Sequence, residues 1–166
     1  MKTVVFIRHA KSSWKFMDLT DFQRPLNKRG LRDAPIMGER LQKRKIFPDL
    51  IVSSTAVRAY ATAKIIAKKL NYKIDDIQQK AEIYESSRET VLNILRELPN
   101  KKNIVFVFGH NPTFTTLANY FSNDYIPNVP TCGMVAIDFE IDKWQDLDQA
   151  GSCFSFFDYP KLESDD

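Results

Sequence analysis

Three short apolar runs, each followed by a segment with helical periodicity, constrain the fold of this chain more than any other feature. The runs cover residues 3–8, 50–53 and 104–108, and β-branched and aromatic side chains dominate them. Continuous apolar runs of this length are typical of strands that are buried on both faces, as in parallel sheets. Because strand and helix patterns alternate as far as residue 121, we expect an α/β fold with a mainly parallel sheet and helices on both faces.

Periodicity and capping residues predict four helices, over residues 27–44, 55–70, 87–98 and 113–121. In the first of them, Pro35 either kinks the helix or lies in the first turn of a helix that begins near Asp33. In the second, the stripe predicted to face the core consists of Val57, Ala61, Ile65 and Leu70.

Further strands are predicted after these elements. A short strand is expected over residues 74–76. Residues 134–141 and 153–159 are predicted to pair as an antiparallel hairpin at the C-terminal end of the sheet, because a polar link joins two apolar runs.

The length and composition bound the class of protein. At 166 residues we expect one domain over residues 1–160, with an acidic tail over 161–166. The net charge of +3 comes from scattered basic residues, so we expect no nucleic-acid partner. We also expect no membrane partner, because no apolar stretch is long enough to span a bilayer. We expect the protein to be a monomer. Cys132 and Cys153 lack metal-ligand spacing and no secretory leader is evident, which predicts a cytoplasmic protein with free thiols.

The sequence contains two histidines, and both follow predicted strands. His9 comes after Arg8 at the end of the first strand, and His110 follows Gly109 at the end of the third. Ligands of open α/β sheets bind in the crevice at the carboxyl ends of the strands, so we expect both side chains in one pocket. Histidine can exchange protons or attack phosphorus near neutral pH, and the adjoining arginine offers planar donors to phosphoryl oxygens. The pattern therefore predicts a phosphoryl site.

The two histidines are predicted to differ in protonation. An attacking imidazole must be neutral at one nitrogen, with the other nitrogen held by a hydrogen bond, and this is the state predicted for His9. His110 is predicted to be protonated, because a cation there suits the negative charge of a transferring phosphoryl group. Gly109 is expected to let the backbone turn sharply at the strand end.

A polar segment also follows the second predicted strand. Ser53, Ser54 and Thr55 stand there, with Arg58 three residues further on. One interpretation is a simple helix cap, since serine and threonine favour helix N-termini. The other is an anion site. An arginine in the first turn opposes the helix dipole, which favours an anion between the guanidinium and the exposed amides.

Taken together, three motifs resemble the histidine phosphatase superfamily, also called phosphoglycerate mutase-like. They are the Arg-His-Ala of residues 8–10, the segment 53–58, and the Gly-His step at 109–110. The superfamily motif is Arg-His-Gly, and Ala10 replaces its glycine here. The small size and the Arg-Pro-Leu of residues 24–26, followed by Asn27 and Gly30, look most similar to the SixA-type phosphohistidine phosphatase branch. The resemblance extends from residue 3 to about residue 158.

This resemblance implies a two-step phosphoryl transfer. His9 attacks the phosphoryl group and becomes phosphohistidine, and water then hydrolyses that intermediate. Arg8, Arg58 and His110 bind the phosphoryl oxygens in both steps. The resemblance implies that neither a metal ion nor another cofactor takes part, and the sequence contains no carboxylate–histidine cluster that predicts a metal.

The loop after His9 contains further candidates. By similarity Arg24 is a phosphate contact, the alternative being a surface arginine before a turn. Ser12 is a candidate donor to the substrate phosphate. Trp14, Phe16 and Phe22 either form an aromatic rim for the substrate or pack the loop against the domain.

A proton donor for the leaving group is harder to assign. In the mutase-like members of the superfamily a glutamate does this, which makes Glu82 the first candidate and Glu85 the second. Asp18 and Asp21, in the loop after His9, are rivals. An alkoxide leaving group needs such an acid. A phosphoramidate, as in phosphohistidine, is easier to expel and does not demand one.

The predicted activity is therefore hydrolysis of a phosphoryl group through phosphohistidine on His9, with phosphohistidine in a protein as the substrate. A phosphatase of small phosphorylated metabolites is the alternative among enzymes. A module that binds phosphorylated partners without turnover is the alternative of another class. The nucleophile-like position of His9 argues against the binding module, because arginines alone could bind a phosphate.

Overall fold

The computed structural model describes residues 1–162, so the acidic residues 163–166 of the predicted tail lie outside the described part. In chain order the strands and α-helices are β1 (Lys2–Arg8), α1 (Lys28–Lys43), β2 (Leu50–Ser53), α2 (Val57–Lys69), β3 (Gln78–Gln79), α3 (Arg88–Arg96), β4 (Ile104–Gly109), α4 (Thr113–Phe121), β5 (Met134–Phe139) and β6 (Ser152–Asp158). Short 3-10 helices lie at Asp21–Gln23, Ile74–Asp76, Ala81–Ile83 and Trp144–Asp146. Within residues 1–162, no helix has the length and apolar character needed to span a membrane.

The strands form one sheet in the order β3-β2-β4-β1-β5-β6. The first four of these run parallel, whereas β5 pairs antiparallel with β1, and β6 pairs antiparallel with β5. The prediction of an α/β fold with a mainly parallel sheet and a C-terminal antiparallel hairpin is confirmed. β1 is buried on both faces of the sheet, which explains why its sequence is a continuous apolar run.

The sheet separates two hydrophobic clusters. Val5, Ile7 and Phe108 pack with α1 and α2 on one face. Val4 and Phe6 pack with α3 and α4 on the other. Because successive side chains of a strand point to opposite faces, each apolar run supplies both clusters at once. Helices on both faces hold the ends of β1, β2 and β4 in fixed relative positions.

The helix α1 begins at Lys28 and not near Asp33, which was one of the two alternatives predicted. Its N-cap is Asn27, whose side chain accepts a hydrogen bond from the amide of Gly30 at 2.9 Å. Pro35 lies inside the helix, so a start near Asp33 is wrong. The proline leaves the carbonyl of Leu31 without its helical partner, and Leu31 is exposed, so water can bind that carbonyl.

The stripe predicted for α2 is right at Leu70, which is buried in the core, and wrong by about one position elsewhere. Val57 is exposed, and Ala61 and Ile65 are only partly buried. The residues of α2 that face inwards are Arg58, Ala59, Thr62, Ala63, Ile66 and Ala67. Small alanines let the helix approach the sheet closely, and this rotation turns Arg58 and Thr62 towards the ends of the strands. The apolar pattern alone did not indicate that two polar side chains share the buried face.

The strand predicted over residues 74–76 is also wrong, because Ile74–Asp76 is a 3-10 helix. The amide of Ile77 donates to the carbonyl of Ile74 at 3.1 Å, so the backbone is paired locally and not with a neighbouring strand. The edge strand that follows, β3, has only two residues.

Candidate active site

The parallel pairing of β2, β4 and β1 brings the predicted site residues to one edge of the sheet. In the register, Arg8 lies opposite Gly109 and Ser53 lies opposite Phe108. The residues that follow these strands therefore emerge together. The rings of His9 and His110 are 5.3 Å apart between centroids, and both side chains are buried. The two histidines share one site, although 101 positions separate them in the sequence.

The hydrogen bonds of His9 define its tautomer. Nδ1 lies 2.8 Å from the carbonyl oxygen of Ala10, and a carbonyl only accepts, so Nδ1 holds the hydrogen. Nε2 is then unprotonated, and it accepts a hydrogen bond from Nε of Arg58 at 3.3 Å. Burial is the main reason that the pKa of His9 is lowered to about 3. The neighbouring His110, Arg58 and Arg8 contribute to the same shift. His9 is neutral at physiological pH, with an available lone pair on Nε2.

Arg58 connects His9 to Asp21. Its NH1 donates to the backbone carbonyl of Asp21 at 2.6 Å, and its NH2 donates to the carboxylate of Asp21 at 2.9 Å. The Nε edge of the same guanidinium faces His9. The interpretation of the 53–58 segment as a simple helix cap does not hold, because α2 is capped by Ala56 without a side-chain hydrogen bond. The charge of the arginine is instead balanced by the carboxylate of Asp21.

His110 is held by Ser54 and is neutral. Its Nε2 lies 2.8 Å from Oγ of Ser54. Burial and the charge of Arg58 lower the pKa of His110 to about 4, while Asp21 opposes the shift. The predicted protonation of His110 is therefore not found in the structure, because the ring is buried and Arg58 lies beside it. A phosphoryl dianion beside the ring would favour its protonated form.

Gly109 is glycine for a different reason from the one predicted. It is the last residue of β4, and its backbone is not in the left-handed region. A Cβ at this position would lie 2.6 Å from the ring of Phe114. Close packing of α4 on the end of β4, and not a sharp turn, excludes a side chain directly before His110.

The other two arginines have different surroundings. Arg8 donates from NH1 to the carbonyl of Val129 at 3.0 Å, and its buried Nε has no hydrogen-bond partner among residues 1–162. Arg24 donates to the backbone of Ser13, to Oγ of Ser12 and to the carboxylate of Asp21. All three donating nitrogens of Arg24 are thus engaged within the loop.

The segment that contains Arg24 braces the loop after His9. The amide of Ser13 donates to the carbonyl of Pro25, and the amide of Asn27 donates to the carbonyl of Lys11. A Cβ on Gly30 would lie only 2.2 Å from that same Lys11 oxygen. The Arg-Pro-Leu…Gly pattern therefore has a structural reason, since it holds the backbone next to the histidine.

The aromatic residues of the loop are mostly exposed. Trp14 is 72% exposed and Phe16 is 51% exposed. The guanidinium of Arg24 stacks on the indole of Trp14, with 3.3 Å between the guanidinium carbon and the ring centroid. Phe22 contacts Tyr84 edge to face. Packing of the loop against the domain does not describe Trp14 and Phe16, because so much of their surface faces solvent.

The four candidate acids are placed in different surroundings. Asp21 and Glu85 line a cavity of about 520 Å³ together with Arg58 and His110. Glu82 lines a separate groove beside α3. Asp18 is exposed in the loop after His9. The structure thus brings Asp21 and Glu85 to the histidine site, and does not bring Glu82 there.

Asp21 is ionised. Its carboxylate accepts hydrogen bonds from the phenol of Tyr84 at 2.7 Å, from Arg24 at 2.9 Å and from Arg58 at 2.9 Å. These bonds, with that from Tyr84 the largest cause, lower the pKa of Asp21 to about 2. A group in this state cannot donate a proton near neutral pH.

Two residues of the site were not singled out from the sequence. The ring of Tyr84 contacts that of His110 edge to face at 5.5 Å. The buried Thr62 hydroxyl accepts from the amide of Ala10 at 2.9 Å and donates to the carbonyl of Arg58. Helical spacing could have identified Thr62, four residues after Arg58, but no pattern indicates Tyr84.

Fold and site together define a class of enzyme. A mainly parallel sheet has two buried histidines and two arginines at one edge, and one imidazole presents an unprotonated nitrogen. This is the architecture of a phosphatase of the phosphoglycerate mutase-like fold, and an unprotonated imidazole nitrogen is chemically able to accept a phosphoryl group.

Comparisons with known proteins identify the family. The sequence profile described as the histidine phosphatase superfamily (branch 1) matches residues 4–87. An uncharacterized protein of Mycobacterium tuberculosis is 32% identical over 113 residues, which are 68% of this chain and 67% of that protein. The chain belongs to the histidine phosphatase superfamily.

Similar solved structures indicate to which branch of the superfamily the chain belongs. The putative phosphohistidine phosphatase SixA from Agrobacterium tumefaciens is 29% identical and superposes with a TM-score of 0.81, covering 96% of this chain and 98% of that chain. A putative SixA from Nakamurella multipartitia, 23% identical, has the same fold, with a TM-score of 0.84 and 97% of both chains covered. The predicted SixA-type branch is confirmed.

Proposed function

We propose that this phosphatase hydrolyses phosphohistidine in a protein, with His9 as the nucleophile. Nε2 of His9 attacks the phosphorus, and the bond from phosphorus to the substrate nitrogen breaks with its electron pair going to that nitrogen. Water then attacks the phosphohistidine, which releases inorganic phosphate and restores His9. No oxidant or reductant enters either step.

The observation that carries the proposal is the tautomer of His9. Its Nδ1 hydrogen is held by the Ala10 carbonyl, and its unprotonated Nε2 points towards Arg58. A nucleophile needs this state before attack, and its low pKa keeps the ring neutral. A module that only binds phosphate would gain nothing from such an imidazole.

Arg58, Arg8 and His110 are the proposed ligands of the phosphoryl oxygens. When the bond between His9 and phosphorus forms, Nε of Arg58 loses its acceptor on His9 and can donate to a phosphoryl oxygen instead. The Nε of Arg8, which has no hydrogen-bond partner within the described residues 1–162, is a further donor in the same region. Fixed cationic donors around a transferring phosphoryl group stabilise its spread negative charge. For Arg24 and Ser12 we propose an indirect role, since they hold each other and the loop.

A protein substrate is supported by the likeness to the Agrobacterium SixA and by the surface near the site. Trp14 and Phe16 are exposed in the loop that starts at His9, and exposed aromatic residues favour contacts with another protein. We further propose that residues 1–160 act as one phosphatase domain, because β5 and β6 complete the sheet that holds the site. The monomeric state and the cytoplasmic location stay predictions.

The test is a comparison of turnover for a phosphohistidine peptide, phosphoserine and phosphotyrosine peptides, sugar phosphates and a chromogenic aryl phosphate. We expect the phosphohistidine peptide to be preferred, His9→Ala to abolish turnover, and quenched enzyme to contain an acid-labile, alkali-stable phosphoryl group. Failure of the wild type on all substrates contradicts the proposal, and a strong preference for sugar phosphates contradicts only the substrate.

Metal independence is tested in the same assay. Among residues 1–162, no group of three or more histidine, cysteine, aspartate or glutamate side chains is arranged to hold a metal ion. We expect turnover to be unchanged after treatment with EDTA. A loss that added divalent cations restore would contradict this part of the proposal.

A further inference from the structure

The site has two ends of different chemistry, and the cavity of about 520 Å³ lies at the Asp21 end. Around His9 the neighbours are cationic, namely Arg8 and Arg58. Beyond the guanidinium of Arg58 lies the carboxylate of Asp21, bonded to the phenol of Tyr84. One guanidinium therefore separates the nucleophile from an ionised carboxylate, with its Nε edge facing His9 and its NH1 and NH2 edge facing Asp21.

This arrangement matters for the leaving group. In phosphoryl transfer, the attacking and leaving atoms lie roughly in line on opposite sides of the phosphorus. A phosphoryl group that binds along Arg58 with its phosphorus next to His9 directs its leaving group away from His9. The Asp21 end of the cavity, lined also by Tyr84 and Glu85, is open to receive that group.

An ionised carboxylate at this place discriminates between leaving groups. An alkoxide develops negative charge and needs a proton, which Asp21 cannot supply, and the carboxylate repels the developing charge. A phosphoimidazole protonated at its distal ring nitrogen is positively charged on the leaving side. It needs no proton from the enzyme, and it offers an N–H to an acceptor.

We propose that Asp21 determines leaving-group specificity: its carboxylate accepts a hydrogen bond from the protonated distal nitrogen of the substrate phosphoimidazole. The electron pair of the breaking phosphorus–nitrogen bond neutralises the ring, which departs as neutral imidazole with its distal hydrogen in place. The inference deepens the proposed function and rests on it. It gives the site a preference for N-phosphorylated, positively charged leaving groups.

The charged and titratable groups around Asp21 are consistent with this role. Arg24 and Arg58 bond to its carboxylate, Tyr84 donates to it, and His110 and Glu85 share the cavity. Although three donors already bind the carboxylate, it is still 49% exposed, so a lone pair remains accessible to a substrate. The bond of Arg58 NH1 to the Asp21 backbone does not depend on the side chain. Asp21→Asn can therefore remove the charge while Arg58 keeps most of its anchoring.

The experiment compares kcat/KM of the wild type and Asp21→Asn for a phosphohistidine peptide and for p-nitrophenyl phosphate, whose phenolate leaves without a proton. We expect Asp21→Asn to lose about 10- to 100-fold more on the peptide than on the aryl ester, the effect of one charge-assisted hydrogen bond. Asp21→Glu, which keeps the charge, should retain part of the preference. Glu140→Gln is the matched control, because it removes an exposed carboxylate at the opposite end of the sheet.

The pH profile separates this role from simple positioning. With the wild type, kcat for the peptide should fall as the bound substrate ring deprotonates, and with Asp21→Asn that fall should move to lower pH, because the carboxylate no longer stabilises the protonated ring. Equal losses on both substrates would overturn the inference, because Asp21 would then only position Arg58. Unchanged activity on the peptide would overturn it as well. If the wild type hydrolyses the aryl ester but not the peptide, the proposed substrate fails independently of any Asp21 variant.

Discussion

The hydroxyl of Thr62 links the two halves of the site, and its removal tests how rigidly His9 must be held. Oγ1 accepts from the amide of Ala10, whose carbonyl in turn fixes Nδ1 of His9, and it donates to the carbonyl of Arg58. Thr62→Val keeps the volume and removes the oxygen. The carbonyl of Arg58 lies inside a helix and keeps its helical bond, so the buried amide of Ala10 is the group left without an acceptor.

The loss of this acceptor should lower both the free energy of unfolding and the turnover of the enzyme. An unsatisfied buried amide lowers the free energy of unfolding by about 1–3 kcal/mol. A shift of Ala10 by a fraction of an ångström also moves His9, the proposed nucleophile, and such misplacement lowers turnover by about 10- to 100-fold. Thr62→Ser keeps the oxygen and loses one methyl group, which costs about 1 kcal/mol of stability and should leave turnover within about threefold.

Urea denaturation measures the free energies of unfolding, and saturation kinetics with an aryl phosphate measure kcat and KM. The expected pattern is a loss of kcat in Thr62→Val, with Thr62→Ser close to the wild type. If the valine variant keeps both its stability and its kcat, the hydroxyl does not support the site and the reasoning is refuted.

Three further predictions concern pH, packing and the acid. Burial lowers the pKa of His9 and His110 from 6.5, so the unfolded state binds these protons first. The free energy of unfolding should therefore be constant above pH 6.5. Below pH 6.5 each histidine should lower it by about 1.4 kcal/mol for every pH unit, as measured by urea titrations at a series of pH values. A flat profile from pH 6.5 to 5 would contradict this. Gly109→Ala should lose about 1–3 kcal/mol of stability by clashing with Phe114, and Phe114→Leu should recover part of that loss if the clash is the cause. Glu82→Gln should change turnover of aryl and alkyl phosphates less than about twofold, since Glu82 lines a separate groove, and a tenfold loss would make it the acid.

Much of the fold was predictable because strand burial leaves a strong pattern. The runs that became β1, β2 and β4 are apolar on both faces, and the caps Asn27 and Ser87 mark the starts of α1 and α3. The rotation of α2 was not predictable in the same way. Its buried face includes Arg58 and Thr62, which an apolar periodicity counts as surface.

The amino-acid sequence by itself determined the alternation of strands and helices, the residue types of a phosphoryl site, and their position directly after strands. These features are local, since a buried strand must be apolar along its length and the residue after it must emerge at the sheet edge.

Only the tertiary structure decided the protonation states of the residues in the site. His110 is neutral because it is buried and Arg58 lies beside it, and Asp21 is ionised because Tyr84 and two arginines donate to it. Charge and hydrogen bonding act through space between segments far apart in the chain, so no local pattern could assign them. For the same reason the structure, and not the sequence, places Asp21 in the cavity with His110 and Glu82 outside it.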